Sequence, residues 1–164
     1  MSRKKYVLWI EDDATYNLQY IASPIVMNPK YDLTLAVTVS EAINFLERRE
    51  YDAIIFDLRL PPGRQKDCIK LYKELAKSQE PSRLGLHLLL NLFGMPVNAK
   101  YRLSMPDFPF DFSVDKIGIL SVDDWDDVAE LLRGIGICEP IQYKRKRAGM
   151  PSNTLLNLVE TVVL

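Results

Sequence analysis

Short apolar runs alternate with amphipathic segments over the first third of the chain. Residues 6–10 and 53–56 are apolar and too short for a helix, which is typical of strands buried on both faces of a parallel sheet. Residues 33–37 alternate weakly and predict a further strand between them. Amphipathic helices are expected from Ala14 to about Met27 and from Ser40 onward. The order strand, helix, strand, helix, strand indicates a parallel α/β sheet with right-handed crossovers.

The two fully apolar strands both end in acidic residues. Glu11, Asp12 and Asp13 follow the first of them, and Asp57 follows the run at 53–56 and precedes a Pro-Pro-Gly turn. An ionised carboxylate beside a buried strand is costly without a partner, and ligands bind at the carboxyl ends of such strands. Converging carboxylates with room for water are typical of a Mg²⁺ site. The alternative is structural: Asp57 ends a strand and caps a loop, and the acidic cluster begins a helix.

The two acidic motifs, with the alternation between them, resemble the receiver domain of two-component response regulators. The motifs are WIEDD at residues 9–13 and IIFDLRLPPG at residues 54–63. The resemblance implies a flavodoxin-like, doubly wound, five-stranded parallel sheet of strand order 2-1-3-4-5. It also implies that residues 1–164 form a single domain. In this family, an Asp that ends the third strand accepts a phosphoryl group from a histidine kinase or a phosphotransfer protein, with Mg²⁺ bound.

The resemblance assigns roles to the first set of site residues. Asp57 matches the phosphoacceptor. Glu11, Asp12 and the backbone carbonyl of Arg59 match the other Mg²⁺ ligands, with Asp13 as the shifted alternative within the acidic cluster. A carboxylate is a weak nucleophile, so phosphoryl transfer to it depends on positioning and on neutralisation of charge.

Two assignments compete for the fourth and fifth strands. In the first, Leu84–Leu90 and Phe110–Asp115 are the strands, and Lys116 is the active-site lysine of the family. In the second, residues 117–120 form the fourth strand, and an insertion of roughly residues 80–116 precedes it. The two assignments therefore predict different active sites.

The second assignment is favoured because it fits more of the family pattern. It places the hydroxyl of Ser121 at the switch position, and it makes Tyr143 and Lys146 the switch aromatic residue and the active-site lysine. It also leaves Ser152–Val163 as the closing helix. Lys144 is the alternative lysine, since the proline that follows the lysine in the family is missing here. On phosphorylation, Tyr143 would swing inward as Ser121 moves to the phosphoryl group.

Helices are expected between these strands. Asp67 caps one from Cys68 to about Ser78, ended by Pro81, with the apolar face Ile69, Tyr72, Leu75 and Ala76. Leu84–Phe93 is then a helix, apolar around most of its circumference, that needs cover from the third helix, from Phe108–Phe112 or from a second molecule. The apolar positions expected in the first helix and in the helix after Ser121 are Tyr16, Leu18, Tyr20, Ile21 and Ile25, and Trp125, Val128, Leu131 and Leu132.

Composition and charge exclude few further classes of protein. With 164 residues, 48% apolar and 26% charged, the chain suits one soluble domain. Its net charge of −1 recruits neither nucleic acid nor membrane. The structural alternative for the basic run Lys144–Arg147 is a solvated loop or a small nucleic-acid patch. The N-terminal apolar run Tyr6–Ile10 is too short for a signal peptide and far too short for a membrane span. Cys68 and Cys138 lack metal-ligand spacing, so a cytoplasmic location is expected.

The functional expectation is a phosphoacceptor rather than an enzyme, with a histidine kinase and a downstream protein as partners. The alternative is a non-phosphorylated pseudo-receiver that acts in protein–protein interaction or in a homodimer. The enlarged middle of the chain favours this alternative, because extra apolar elements suggest a partner surface. The acidic cluster and Asp57 favour the phosphoacceptor. A hydrolase on the same fold is the weakest option, because no second nucleophile or general base is evident.

Overall fold

Five parallel strands form one sheet in the order β2-β1-β3-β4-β5. The computed structural model describes residues 2–14, 17–78 and 82–163. The strands are β1 (Lys5–Ile10), β2 (Tyr31–Ala36), β3 (Ala53–Phe56), β4 (Ile117–Ser121) and β5 (Tyr143–Arg145). This is the predicted fold. The strand order reverses between β1 and β3, and the cleft at such a switch point is where doubly wound folds bind ligands.

The helices cover both faces of this sheet. They are α1 (Gln19–Val26), α2 (Val39–Arg48), α3 (Lys66–Lys77), α4 (Leu84–Leu92), α5 (Trp125–Gly134) and α6 (Thr154–Val163), with 3₁₀ turns at Ala99–Tyr101 and Val114–Lys116. Because successive strand residues point to opposite faces, β1 splits its side chains between two cores. Val7 and Trp9 pack with α1 and α6, whereas Leu8 and Ile10 pack with α2, α3, α4 and α5.

The fourth strand follows the second of the two predicted assignments. In the pairing of β3 with β4, Ile54 lies beside Ile117 and Phe56 lies beside Ile119. Leu84–Leu92 is a helix, and Lys116 pairs with Glu50 at 2.9 Å. The assignment of Leu84–Leu90 and Phe110–Asp115 as strands is therefore wrong. The isoleucine-rich run Ile117–Ser121 forms the strand instead. Every one of its residues is buried, as is typical of a central strand.

The inserted helix α4 is covered by the chain itself. All residues from Leu84 to Asn91 are buried, and the helix contacts α2 and α3. The side-chain amide of Asn91 donates to the carbonyl oxygens of His87 and Tyr101, and its oxygen accepts the N–H of Leu103. One polar side chain thus ties the irregular segment after α4 to the helix.

Two predicted helices begin elsewhere than expected. Helix α1 begins at Gln19 rather than Ala14, and just before it the N–H of Leu18 donates to the carbonyl of Asp13. Helix α3 has Gln65 rather than Asp67 at its N-cap, and the Asp67 carboxylate accepts the N–H groups of Cys68 and Ser104 instead. The expected positions Tyr16 and Pro81 lie outside the described residues.

The buried faces of two helices differ from the predicted ones. In α3 the buried residues are Cys68, Leu71 and Leu75, so the face lies one position away from the predicted set, and Tyr72 is exposed. In α5, Val128 and Leu132 are buried as predicted, whereas Leu131 is 37% exposed. Several three- and four-residue spacings were available in each segment, and the contact with the sheet selected one of them. No helix among the described residues has the length and apolar character needed to cross a membrane.

Burial of α4 within the monomer predicts unequal effects for two leucine substitutions. Leu88 is fully buried, so Leu88→Glu should lower the free energy of unfolding by about 3 kcal/mol or more. Leu131→Glu, on the exposed side of α5, should cost under about 1 kcal/mol. Urea denaturation of the two variants measures both values. Equal losses would show that α4 is not part of the core.

Candidate functional site

The acidic residues after β1 and β3 meet at the carboxyl edge of the sheet. Ile10 pairs with Phe56 in parallel register, so the residues that follow, Glu11 and Asp57, lie side by side. One carboxylate oxygen each from Glu11, Asp12 and Asp57 can be chosen so that all three lie within 4.8 Å of one another. Glu11 and Asp57 are buried and Asp12 is exposed. The strand pairing thus produces the predicted convergence.

Lys146 is the lysine that enters this cluster. Its Nζ lies 2.5 Å from Oε2 of Glu11 and 3.0 Å from Oδ2 of Asp57. Its backbone N–H donates to the carbonyl of Ser121, which continues the pairing of β5 with β4. The alternative Lys144 is exposed, and Lys116 pairs with Glu50.

Burial and mutual repulsion shift the titration of these groups. Burial raises the pKa of Glu11 to about 8, the charge of Asp57 adds to the rise, and Lys146 opposes it. Burial also raises the pKa of Asp57, again against the charge of Lys146. Burial alone would lower the pKa of Lys146, but the two carboxylates raise it above its usual value. One ammonium therefore does not fully compensate two buried carboxylates.

The donor set fits a hard divalent cation. Its atoms are carboxylate oxygens, which are the ligands that Mg²⁺ prefers, and they border a cleft of about 610 Å³ with room for water. The alternative ligand Asp13 lines this cleft but is not one of the three clustered acids in the described part of the chain. Its backbone N–H donates to Glu11, and its carboxylate accepts from Asn17. Glu11, Asp12 and Asp57 are thus the residues that could hold the ion.

Ser121 lies at the end of β4, with its hydroxyl already engaged. Its Oγ donates to Oδ2 of Asp123 at 3.1 Å, and both residues are buried. Asp123 lies just before the next helix, because α5 begins at Trp125. Its carboxylate binds Arg59 and Arg83, at shortest distances of 2.5 and 3.1 Å. Burial alone would raise the pKa of Asp123, but the two guanidinium groups outweigh it and hold the pKa below its usual value.

Tyr143 points into the protein. Its hydroxyl donates to the backbone carbonyl of Asp123 at 2.6 Å, and its ring packs edge-on against Trp125. The side chain is buried, and burial raises its pKa to about 12. The predicted inward swing is therefore not needed in this structure, because the ring already occupies the inward position.

Comparison with known proteins adds the fold family. No family model and no curated protein matches the sequence. Among solved structures, a CheY-like response regulator receiver domain protein from Methanospirillum hungatei aligns over 98% of this chain and 94% of its own, with 15% identity and a TM-score of 0.58. The receiver domain of Francisella response regulator 1452 aligns over 98% and 97%, with 18% identity and a TM-score of 0.56. This chain has the CheY-like receiver fold.

A third solved structure bears on the metal. The receiver domain of the sensor histidine kinase PA1611 from Pseudomonas aeruginosa aligns over 98% of both chains, with 14% identity and a TM-score of 0.50. That protein has a magnesium ion coordinated in its active-site cleft. At such low identity the likeness concerns the receiver fold, and the site here has to be argued from its own residues.

Sequence reasoning missed the contacts that helix α4 makes beside the candidate site. A Cβ atom on Gly85 would lie 2.1 Å from the carbonyl oxygen of Asp57, and the N–H of Leu86 donates to the carbonyl of Leu58. The first turn of α4 therefore lies directly on the backbone of the Asp57 loop. Arg83, just before that turn, reaches Asp123. Neither a lone glycine nor a lone arginine beside a leucine run gives a sequence signal for such contacts.

The raised pKa of Glu11 predicts a pH dependence of stability. An unfolded chain ionises this group near 4.5, whereas the folded protein keeps the proton until about 8. The folded state binds more protons between these values, so this group's contribution to the free energy of unfolding falls as pH rises through that window. The free energy of unfolding of the wild type and of Glu11→Gln is to be measured by denaturation without divalent ions. As the pH rises from 4.5 to about 8, the wild type should lose stability relative to the variant. Glu47→Gln controls for a Glu-to-Gln change at the surface, and parallel wild-type and Glu11→Gln profiles would contradict the prediction.

The contact between Gly85 and Asp57 predicts the cost of a methyl group. Gly85→Ala should destabilise the domain by about 1–3 kcal/mol, although alanine favours helix, because the new atom must displace backbone. It should also shift the amide resonances of Asp57 and Arg59. Gly134→Ala is the matched control, since a Cβ there meets nothing within 4 Å. A neutral Gly85→Ala would show that α4 does not support the Asp57 loop.

Proposed function

We propose that the chain is a phosphoacceptor of two-component signalling, in which Asp57 takes a phosphoryl group with Mg²⁺ bound. One observation carries the proposal. The buried carboxylate of Asp57 lies 3.0 Å from the ammonium of Lys146, beside Glu11 and Asp12, at the edge of an open cleft. A structural Asp that ends a strand needs one partner, whereas this one belongs to a group of three acids and a lysine.

Phosphoryl transfer would use these residues in two ways, as ligands of the metal and as the attacking carboxylate. Mg²⁺ held by Glu11, Asp12, Asp57 and the Arg59 carbonyl would supply charge neutralisation at the attacked phosphorus. An oxygen of Asp57 forms the new bond to phosphorus while the bond from phosphorus to the donor's leaving group breaks.

Two further residues would hold the transferred group. Lys146, 11% exposed and already beside Asp57, would pair with a phosphoryl oxygen as a point charge. The hydroxyl of Ser121 would leave Asp123 and donate to another phosphoryl oxygen. The loss of that hydrogen bond would alter the surroundings of Tyr143, whose hydroxyl binds the Asp123 carbonyl.

The implied partners follow from this role. The phosphoryl donor would be a histidine kinase or a phosphotransfer protein, and a downstream protein would bind the changed surface. The chain accepts a group and passes a signal on, so we do not assign it enzymatic turnover beyond slow loss of its own phosphoryl group.

A second candidate function is a pseudo-receiver that binds a partner without phosphorylation. Two observations favour it. The hydroxyl of Ser121 is engaged by Asp123, and Tyr143 is already inward. These side chains therefore have a stable arrangement that needs no phosphoryl group.

Intact-mass measurement separates the two functions. Acetyl phosphate with Mg²⁺ should add one phosphoryl group to the wild type, and omission of Mg²⁺ should prevent the addition. Asp57→Asn should abolish labelling, and Lys146→Met should slow it on the order of 10-fold or more, because a charge-assisted contact is lost. Asp32→Asn, an exposed Asp on β2, is the matched control and should be labelled like the wild type. An unlabelled wild type under conditions that label an ordinary receiver would favour the pseudo-receiver.

A further inference from the structure

A cluster of charged side chains around the buried Asp123, beside the phosphoacceptor, contains two cationic groups and one carboxylate. The Asp123 carboxylate accepts from Arg59 Nη2 at 2.5 Å, from Arg83 Nε at 3.1 Å and from Ser121 Oγ at 3.1 Å. Two guanidinium groups thus share one carboxylate. A single arginine would already neutralise Asp123, so the second one needs another explanation.

The two arginines differ in how they are held. Arg83 has a side chain only 14% exposed, and it precedes α4, the helix fixed against the Asp57 loop by the contact of Gly85. Arg59 is 43% exposed, and it lines the same cleft as Asp57. Its backbone N–H donates to Oδ1 of Asp57 at 3.3 Å. Arg59 also donates from Nε to both carboxylate oxygens of Asp123 at 3.2 Å, so it makes more contacts to Asp123 than Arg83 does. Arg83 is nevertheless the more enclosed of the two partners, whereas the more exposed Arg59 has open space beside it in the cleft.

Arg83 also removes the main obstacle to a movement of Arg59 into that cleft. If Arg59 were the sole partner of Asp123, its departure would leave an unpaired charge in a side chain with no exposed surface, which is strongly unfavourable. With Arg83 in place, the carboxylate keeps one counter-charge when Arg59 leaves. The presence of Arg83 therefore allows Arg59 to exchange Asp123 for another partner.

Phosphorylation would create the need for this exchange. An acyl phosphate on Asp57 carries about one more negative charge than the carboxylate it replaces. A guanidinium group suits phosphate oxygens because it can donate two parallel hydrogen bonds to them. The surplus positive charge is on Arg59, two residues after Asp57, which would carry the additional negative charge of the phosphoryl group.

We propose that Arg59 is a phosphoryl ligand that changes partner: its guanidinium leaves Asp123 for the phosphoryl group on Asp57, while Arg83 stays on Asp123. The inference rests on the proposed function. It makes Arg59 a binding residue for the phosphoryl group, and it makes Arg83 a positioning residue that acts through Asp123. It also gives the inserted helix a role in the phosphorylation site, since that helix fixes Arg83.

The side-chain Nε–Hε resonances of the two arginines test the exchange directly. They can be assigned with Arg59→Lys and Arg83→Lys, and then followed in the wild type as phosphoramidate and Mg²⁺ label the protein. The Arg59 resonance should shift in proportion to the phosphorylated fraction, and the Arg83 resonance should keep the position of a hydrogen-bonded group. The phosphorus resonance of labelled Arg59→Met should differ from that of labelled wild type.

Labelling rates provide the second measurement. Arg59→Met should slow labelling by acetyl phosphate on the order of 10-fold, and Arg59→Lys should restore part of the rate. Arg83→Met should also slow labelling, because Arg59 is then the sole partner of Asp123. The control is Arg64→Met, because Arg64 is an exposed arginine that follows Asp57 in the chain, as Arg59 does.

The outcomes distinguish this inference from the proposed function. A wild type that takes no phosphoryl group overturns both. A labelled wild type in which the Arg59 resonance does not move, or an Arg59→Met variant labelled at the wild-type rate, overturns the partner exchange alone. If Arg83→Met fails to fold, the wild-type resonances and the Arg59 variants still decide.

Discussion

Two buried carboxylates, those of Glu11 and Asp57, share the one ammonium group of Lys146 at the carboxyl edge of the sheet. The rest of the site depends on this imbalance of charge. The parallel pairing of β1 with β3 forces Glu11 and Asp57 together, and burial denies them the water that would ease their repulsion. Burial, together with the charge of Asp57, raises the pKa of Glu11 to about 8, and Lys146 compensates only in part. Under the proposed function, a divalent cation held by these carboxylates would supply the remaining positive charge.

An opposite imbalance lies next to the first. Around Asp123, two guanidinium groups meet one carboxylate, and the short loop from Asp57 to Arg59 joins the two clusters. Under the proposed function, the negative cluster would hold the metal and the positive cluster would contact the phosphoryl group. Arg59 joins the two clusters, because its side chain binds Asp123 and its backbone N–H donates to Asp57.

The inserted helix is part of this arrangement rather than an appendage. Its leucines are buried against α2 and α3, its first turn rests on the backbone of Asp57, and Arg83 before it holds Asp123. An insertion that served only to bind a partner would not need to contact the Asp57 loop. The close approach at Gly85 explains why an element without a counterpart in the family pattern can be tolerated so near the site: backbone packs there directly on backbone.

The sequence by itself determined the sheet and the negative half of the site. Continuous apolar runs mark central strands, and the residue that follows each run must lie at the carboxyl edge, so the meeting of Glu11, Asp12 and Asp57 could be derived from local pattern. The lysine came from the resemblance to receiver domains, which matched Tyr143 and Lys146 to the switch aromatic residue and the active-site lysine and kept Lys144 as the alternative. Tertiary structure alone decided the positive half. Arg83 and Asp123 are 40 positions apart, Gly85 meets Asp57 only after α4 has docked, and the buried face of α3 was chosen by its contact with the sheet. No periodicity or propensity encodes such contacts, because each depends on where two separately folded segments come to rest against each other.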